Sequence, residues 1–388
     1  MTAIRKRAWT TPAGEEKTAW QVDYKDGAGK RRSKQFARKK EAEAWLVSAA
    51  WQVSQGTHTP DSQSITVEKA ADLWLARGRR EKLEGSTLAA YEQHVRLHIL
   101  PLCGDRKLSQ ITRPMVEEWR DKLVDNLSRP MASRVLRSLS AIVAEAQRRG
   151  YVAQNVCAGV QVRKAQRDKV KAIIPPKTEL KALIEAARAS NAPMAPPLVM
   201  TLIFTGLRAS ELRGLAWRSI DLNNATLTVD QRADDKGVIG PPKSAAGHRT
   251  IPLPSVLVSA LRVWKLQCPA SDAGLVFPSI ASKVMTYRYM SLNVLAPVQI
   301  NAGLFTAIKN DDDELVKDPR YTMHDFRHAA ASLWIEQRVN PKRVQSWMGH
   351  SSIQVTFDTY GHLFDQADQD SAVAEAVQRE VLGDTLAT

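Results

Sequence analysis

Two adjacent prolines, Pro175 and Pro176, end a stretch from Arg163 that is crowded with lysine and arginine, and an ordinary helix or strand does not cross a segment of that composition. A 388-residue chain interrupted there is expected to build separate bodies on either side. The charge divides at the same place. Residues 1–60 hold 12 Lys+Arg against 6 Asp+Glu, residues 61–170 hold 20 against 13, and residues 171–388 hold 23 against 22. Nearly all of the net +14 therefore lies before the prolines, which implies a polyanionic partner for that part, although a ribosome-associated or membrane-surface protein would carry a similar excess. No apolar run has membrane-spanning length, and Arg5-Lys6-Arg7 leads into polar residues where a secretory signal needs apolar ones. The expectation is a soluble intracellular protein without membrane contact. Cys103, Cys157 and Cys268 form no CxxC pair, so they are read as reduced, partly buried residues rather than zinc ligands or a disulfide framework.

Hydrophobic periodicity organises each part. Alternation through Ala19–Tyr24, a turn at Asp26-Gly27-Ala28-Gly29 and a basic strand from Lys30 to Phe36 predict a hairpin, followed by a helix from Arg38 to Gln55. Lys30, Arg31, Arg32 and Lys34 on one strand are candidates for a DNA groove, with a solvated strand face as the equal alternative. A polar linker, His58–Ser64, precedes four amphipathic segments: Val67–Arg77, Ser86–His98, Pro114–Asn126 and Met131–Arg149. Arg134 and Arg137, with Arg148 and Arg149, are available there for phosphate contacts. Beyond the prolines the types mix, with helices at Thr178–Ser190 and Ala195–Thr205, a β region from Ala225 to Pro252, and helices after Pro254 and Met323. The stretch from Asn293 to Arg320 gives no readable element, its acidic run Asp311–Glu314 is expected to be a surface loop, and Ser371–Leu382 reads as a short amphipathic helix.

Three boxes in the last part carry chemistry. They are TGLRASEL (Thr205–Leu212), HDFRHAAASLW (His324–Trp334) and MGHSSIQVTFDTYGHLF (Met348–Phe364). The first two place Arg208 and Arg327 near helix starts, where two planar guanidinium forks can hold one phosphate as lysine cannot. The third supplies His350 and, ten residues on, Tyr360. Taken singly, each is more often structural than functional. The ordered set, Arg, then His-x-x-Arg, then Gly-His, then Tyr, resembles the tyrosine recombinases of the phage-integrase kind. The resemblance covers about half the chain in detail, Thr178 to Phe364, and matches Arg208, His324, Arg327, His350 and the nucleophile Tyr360 to the family's motif positions. It also implies a lysine in a β-hairpin turn, for which Lys243 in PPKSAAGHRTIPLP is the best match and Lys236 the weaker one.

Cleaving a phosphodiester without metal needs a nucleophile, charge neutralisation at the phosphoryl oxygens and an acid for the departing oxygen. Tyr360 is assigned the first task, Arg208, Arg327 and His350 the second, and Lys243 the third, while His324 takes the tyrosine proton or positions the phosphate. Glu211 and Asp325 are read as helix-terminus and orienting residues, and Trp347 and His362 as packing groups.

The resemblance implies a multidomain fold, mainly α with α+β parts: a three-stranded sheet plus helix over 1–57 as an arm-type DNA-binding domain, a helical core-type DNA-binding domain over 65–163, and a mixed α/β catalytic domain over 175–388. The function it implies is integration and excision of a phage or mobile element through a 3′-phosphotyrosyl intermediate. No cofactor and no metal are expected, since neither a P-loop nor a spaced ligand cluster is present. Expected partners are double-stranded DNA attachment sites and further copies of the chain as a tetramer on DNA, with accessory DNA-bending proteins left open, in the cytoplasm of a prokaryotic host and on its nucleoid when bound. A type IB topoisomerase, a chromosome-dimer resolvase and a non-enzymatic DNA-binding protein are the rival readings.

Overall fold

Period-2 alternation in the first 36 residues builds a sheet, and the 3.6-residue period that follows builds helices over it. The computed structural model describes residues 3–12, 14–163, 172–309, 313–364, 377, 378 and 380. Contacts divide the chain into two compact units, Met1–Lys169 and Val170–Thr388.

In the first unit, β1 (Ala3–Thr10), β2 (Glu16–Lys25) and β3 (Arg31–Phe36) form an antiparallel sheet in the order β1-β2-β3. Helix α1 (Lys39–Ser54) covers one face, burying Ala42 and Ala49 towards Val22 and Tyr24. Helices α2 (Val67–Arg80), α3 (Gly85–His94), α4 (Leu100–Cys103), α5 (Arg113–Asn126) and α6 (Arg129–Arg148) then enclose a second core running from Val67 to Val160. Thr66 caps α2 by accepting from the Lys69 N–H. Pro114 and Pro130, which cannot donate, sit in the first turns of α5 and α6, where the missing N–H costs no intrahelical bond. The segment expected to end at His98 continues to Cys103 through a widened π turn at Val95–Ile99, which accommodates Pro101. Leu136, Leu139, Ile142 and Val143 of α6 are nearly fully buried, each contributing roughly 1.5–3 kcal/mol of apolar transfer.

The polar stretch expected to be a linker is a packed seam. Asp61 accepts from Lys34 Nζ and Ser109 Oγ, both at 2.7 Å, and its carbonyl accepts from Lys107 Nζ at 2.7 Å. Ser64 Oγ and Thr59 Oγ1 accept from the Ser109 and Ala153 N–H groups at 2.9 and 2.7 Å, short polar side chains supplying partners to backbone.

The second unit runs α7 (Lys177–Arg188), α8 (Ala195–Thr205), α9 (Ala209–Arg213), the strands β4 (Ile220–Asp221), β5 (Thr226–Val229), β6 (Arg232–Ala233), β7 (Ile239–Gly240) and β8 (Arg249–Pro252), then α10 (Ser255–Gln267), α11 (Tyr287–Tyr289) and α12 (Ala296–Asn301). The sheet has the order β4-β5-β8, with β6 and β7 forming a separate hairpin. The segment unreadable in the sequence holds α12 and an exposed antiparallel hairpin, β9 (Phe305–Lys309) and β10 (Leu315–Pro319). Its strands are neither buried nor alternating, which removes the signal that periodicity depends on. Helices α13 (Met323–Glu336), α14 (Pro341–Met348) and α15 (Ile353–Phe364) close the unit. Residues 164–171 of the charged stretch, part of the acidic run, and all but Val377, Gln378 and Glu380 of the expected final helix lie outside the described residues. Among the described residues, no helix is long and apolar enough to cross a membrane.

Candidate active site

The site begins where α8 ends. Gly206 closes that helix at φ +58°, a conformation that favours glycine, and the space is tight as well, since a Cβ there would stand 3.1 Å from Ala330 Cβ. The turn delivers Arg208 as the residue preceding α9. The Glu211 carboxylate reaches back to the Arg208 N–H at 2.9 Å and accepts from Arg208 Nη1 at 2.8 Å. Asp325 does the same at the start of α13, taking the Thr322 N–H at 2.7 Å, so both acids cap helices as expected.

On α13, His324, Arg327, His328 and Ala331 fall on one face by helical spacing. Arg327 is only 2% exposed, and a buried cation is costly unless its donors are satisfied. Its Nη1 donates to the Gly206 carbonyl at 2.5 Å and its Nη2 to the Met348 carbonyl. These carbonyls end α8 and α14, where the helix dipole is negative, so the fold seats the cation on two helix C-termini. Both arginines stand near helix starts, Arg208 immediately before α9 with its N–H taken by Glu211, and Arg327 a full turn inside α13. Arg208, whose side chain is 38% exposed, sends Nη2 to the Gly349 carbonyl at 2.8 Å. The two arginines thus converge on consecutive carbonyls, Met348 and Gly349, immediately before His350.

His350 Nδ1 is 2.9 Å from Thr356 Oγ1. Burial, then the charges of Arg327, Arg208 and Arg249, push its pKa down to about 4, so at neutral pH it is an uncharged hydrogen-bonding group. One turn beyond Thr356 on α15, Tyr360 is 1% exposed, and burial pushes its phenol up to about 12 against the opposing pull of Arg327. The phenol is hydrogen-bonded to His328 Nδ1 at 2.7 Å. His324, the expected partner, is exposed and packs its ring edge-on to His328 with centroids 4.6 Å apart. His328 was missed in the sequence, yet its spacing from His324 and Arg327 puts it on their face, the signal that could have found it.

Lys243 is exposed in the connection between β7 and β8, and the β-hairpin turn itself holds Lys236, whose N–H is taken by Asp234. The two expectations for the lysine, turn position and nearness to the strand at Arg249, therefore separate. The Lys243 loop reaches the site segment: a Cβ on Gly349 would stand 3.0 Å from the Ala246 carbonyl. His362 is exposed, and Trp347 packs on Trp334 with ring centroids 5.1 Å apart.

The proposed DNA-contacting residues fall on different surfaces. Strand alternation splits the basic run of β3: Arg31 is exposed, while Arg32 pairs with Asp26 at 2.9 Å and Lys34 with Asp61 at 2.7 Å on the α1 side. Lys30 is exposed beside the turn. The register places Arg5, Arg7, Lys17, Lys25 and Arg31 together on the open face, of which only Arg31 was singled out in the sequence. Arg134 and Arg137 are exposed on α6.

A profile of the phage integrase family matches residues 176–367, and one of the phage integrase central domain matches 67–163. Among curated relatives, a tyrosine recombinase XerC-like protein of Caldanaerobacter subterraneus is 26% identical over 362 residues, covering 87% of this chain and 90% of the relative. An integrase of Mycobacterium phage D29 is 25% identical over 370 residues, covering 90% and 92%. Among solved structures, the Tn1549 transposon integrase in complex with transposon right-end DNA superposes with a TM-score of 0.64 at 21% identity, covering 81% of this chain and 99% of that one. A lambda integrase tetramer bound to a Holliday junction gives 0.57 at 18% identity, covering 89% and 95%.

Proposed function

This chain belongs to the phage integrase family of tyrosine recombinases, and on that premise we propose that Tyr360 is the nucleophile with which it joins itself to DNA. The enzyme is a tyrosine-type site-specific DNA recombinase of phage or mobile-element integration. Tyr360 Oη attacks the scissile phosphorus, the bond to the 5′ oxygen breaks, and a 3′-phosphotyrosyl link retains the bond energy for rejoining. Lys243 supplies the proton to the departing 5′ oxygen. His328, already bonded to the phenol and held below its ordinary pKa by burial and then by His324, receives the tyrosine proton as a neutral base. Of the two roles left to His324, positioning the phosphate is the one we assign it. Arg208, Arg327 and His350 hold the non-bridging oxygens. The reverse attack by a 5′ hydroxyl of the partner strand returns the proton and releases Tyr360.

The observation that carries this reading is the convergence of Arg208 and Arg327 on the consecutive carbonyls of Met348 and Gly349, with His350 next in the chain and Tyr360 tied to the same α13 face through His328. Because Tyr360 is closed off from solvent, its phenol has to become accessible before it can meet a phosphate.

We assign residues 1–57 to arm-type binding, 65–163 to core-type binding and 175–388 to catalysis. Arm contacts are given to the open sheet face carrying Arg31, with Lys30 beside it, and core contacts to Arg134 and Arg137. Arg32 and Lys34, proposed as contacts from sequence, serve first to hold the sheet in place. The partners are duplex attachment sites and three further copies on DNA, a reading supported by the DNA complexes named for the Tn1549 and lambda integrases, with accessory bending proteins as an additional class. The setting is the cytoplasm of a prokaryotic host, on the nucleoid when bound.

Covalent trapping tests the chemistry. Wild type on a nicked suicide substrate, whose freed 5′ end diffuses away, is expected to accumulate a protein–DNA adduct that Tyr360→Phe does not form. An adduct that persists in the variant would show that another residue is the nucleophile.

A further inference from the structure

One of the buried cations absent from the chemistry above lies directly against its groups. Arg249 opens β8, its side chain is 2% exposed, and its donors reach three segments of the site. Nη1 and Nη2 grip the two oxygens of Glu211 at 3.0 and 2.7 Å, Nε donates to the Trp347 carbonyl at 2.6 Å, and Nη1 also reaches the Gly247 carbonyl at 3.0 Å. Glu211 holds Arg208, Gly247 follows Lys243 in the same loop, and Trp347 immediately precedes the Met348 and Gly349 carbonyls on which Arg327 and Arg208 rest. Gly349 lies so close that a Cβ would stand 2.9 Å from Arg249 Nη1.

From this geometry we propose that Arg249 is a positioning residue for phosphoryl transfer: without touching DNA, it fixes Arg208, the Lys243 loop and the Met348–His350 segment in one register. The inference rests on the assignment of those groups made above. Its physical content is charge as well as geometry. The Glu211 carboxylate receives four donors, the Arg208 N–H and Nη1 together with Arg249 Nη1 and Nη2, which saturates its lone pairs. With Arg249 present, the negative charge of Glu211 is shared, and Arg208 keeps positive potential for an incoming phosphate. With Arg249 removed, the carboxylate has Arg208 as its remaining guanidinium partner and competes with the phosphate for it. Lysine cannot substitute, since one ammonium cannot span the carboxylate fork, the Trp347 carbonyl and the Gly247 carbonyl together.

The test uses the full-length protein on the nicked suicide substrate, with DNA affinity and single-turnover cleavage at saturating DNA measured separately. Arg249→Lys is expected to bind within about 2-fold of wild type and to cleave on the order of 10²-fold more slowly, as when one preorganised donor is lost. Combining it with Arg208→Lys is expected to lose less than the product of the two single losses, because part of the effect of Arg249 passes through the Arg208 guanidinium. Glu211→Gln is the second variant should Arg249→Lys not fold. It is expected to slow cleavage with the same non-additivity towards Arg208→Lys. Losses that multiply would overturn the proposal, as would cleavage by Arg249→Lys within about 3-fold of wild type, or a loss confined to affinity. Tyr360→Phe is assayed alongside. An adduct from that variant would undo the nucleophile assignment and leave the Arg249 ratios to be judged on their own.

Discussion

In the first unit the open face of the sheet presents Arg5, Arg7 and Arg31 to solvent, whereas in the second Arg249 and Arg327 are buried and spend their donors on a carboxylate and on main-chain carbonyls. The first arrangement leaves charge in high dielectric, where it attracts a polyanion over a Debye length and is screened by salt. The second buries charge at a cost and offsets that cost with fixed partners, which holds each guanidinium in one position. Net charge follows the same division, since residues 1–170 carry 32 Lys+Arg against 19 Asp+Glu and the remainder only 23 against 22. Affinity and catalysis are therefore expected to respond to different perturbations.

The strongest way to break this comparison is at Arg327. Arg327→Lys keeps the charge and cannot reach both helix ends, so single-turnover cleavage is expected to fall ~10²–10³-fold with DNA affinity nearly unchanged. A loss confined to affinity would mean that the buried arginines merely bind. A smaller effect sharpens the contrast within the first unit. Arg7→Ala and Arg31→Ala are each expected to reduce the slope of log affinity against log salt by about 1 while leaving cleavage at saturation intact. Lys34→Ala, on the opposite face, is expected to leave that slope alone and to lower the first thermal transition, because it removes the partner of Asp61. Equal slopes for all three variants would show that the two faces of the sheet are not distinct in binding.

The smallest expected effect is on pH dependence. His350 is held at about 4 by burial and then by three arginines, below its unfolded value, so the folded protein binds fewer protons than the unfolded chain. Its contribution to stability is complete above about pH 6.5 and is lost as pH falls towards 4. Glu211, held at about 2 because Arg249 and Arg208 outweigh its burial, adds a further loss below about pH 4.5. Thermal melts from pH 7 to 4 are expected to show the second transition falling, and His350→Gln to fall less steeply over that window. An identical slope in the variant would remove His350 as the cause.

How much of this was readable beforehand differs by element. Helix α8 was bounded at Ala195 and Thr205 from its apolar run and the following glycine, and the structure gives the same limits. The three boxes named Arg208, Arg327, His350 and Tyr360 because their spacing is local, a few residues at a time. The β9–β10 hairpin was invisible because its strands bury no face, and the π turn at Val95–Ile99 was missed because proline ordinarily ends a helix. Strand alternation could have separated Arg31 from Lys34, but the cross-strand register was needed to join Arg31 with Arg5, Arg7, Lys17 and Lys25.

By itself the sequence determined the family and the uneven division of charge along the chain, and it named the candidate residues for the chemistry, because each depends on composition or on spacing within one segment. Tertiary structure alone decided that Arg327 rests on two helix C-termini, that Tyr360 is bonded to His328, and that Arg249 joins Glu211 to the Trp347 and Gly247 carbonyls. Most of these contacts join residues far apart in the chain, and such partners are chosen by packing, which no local pattern records.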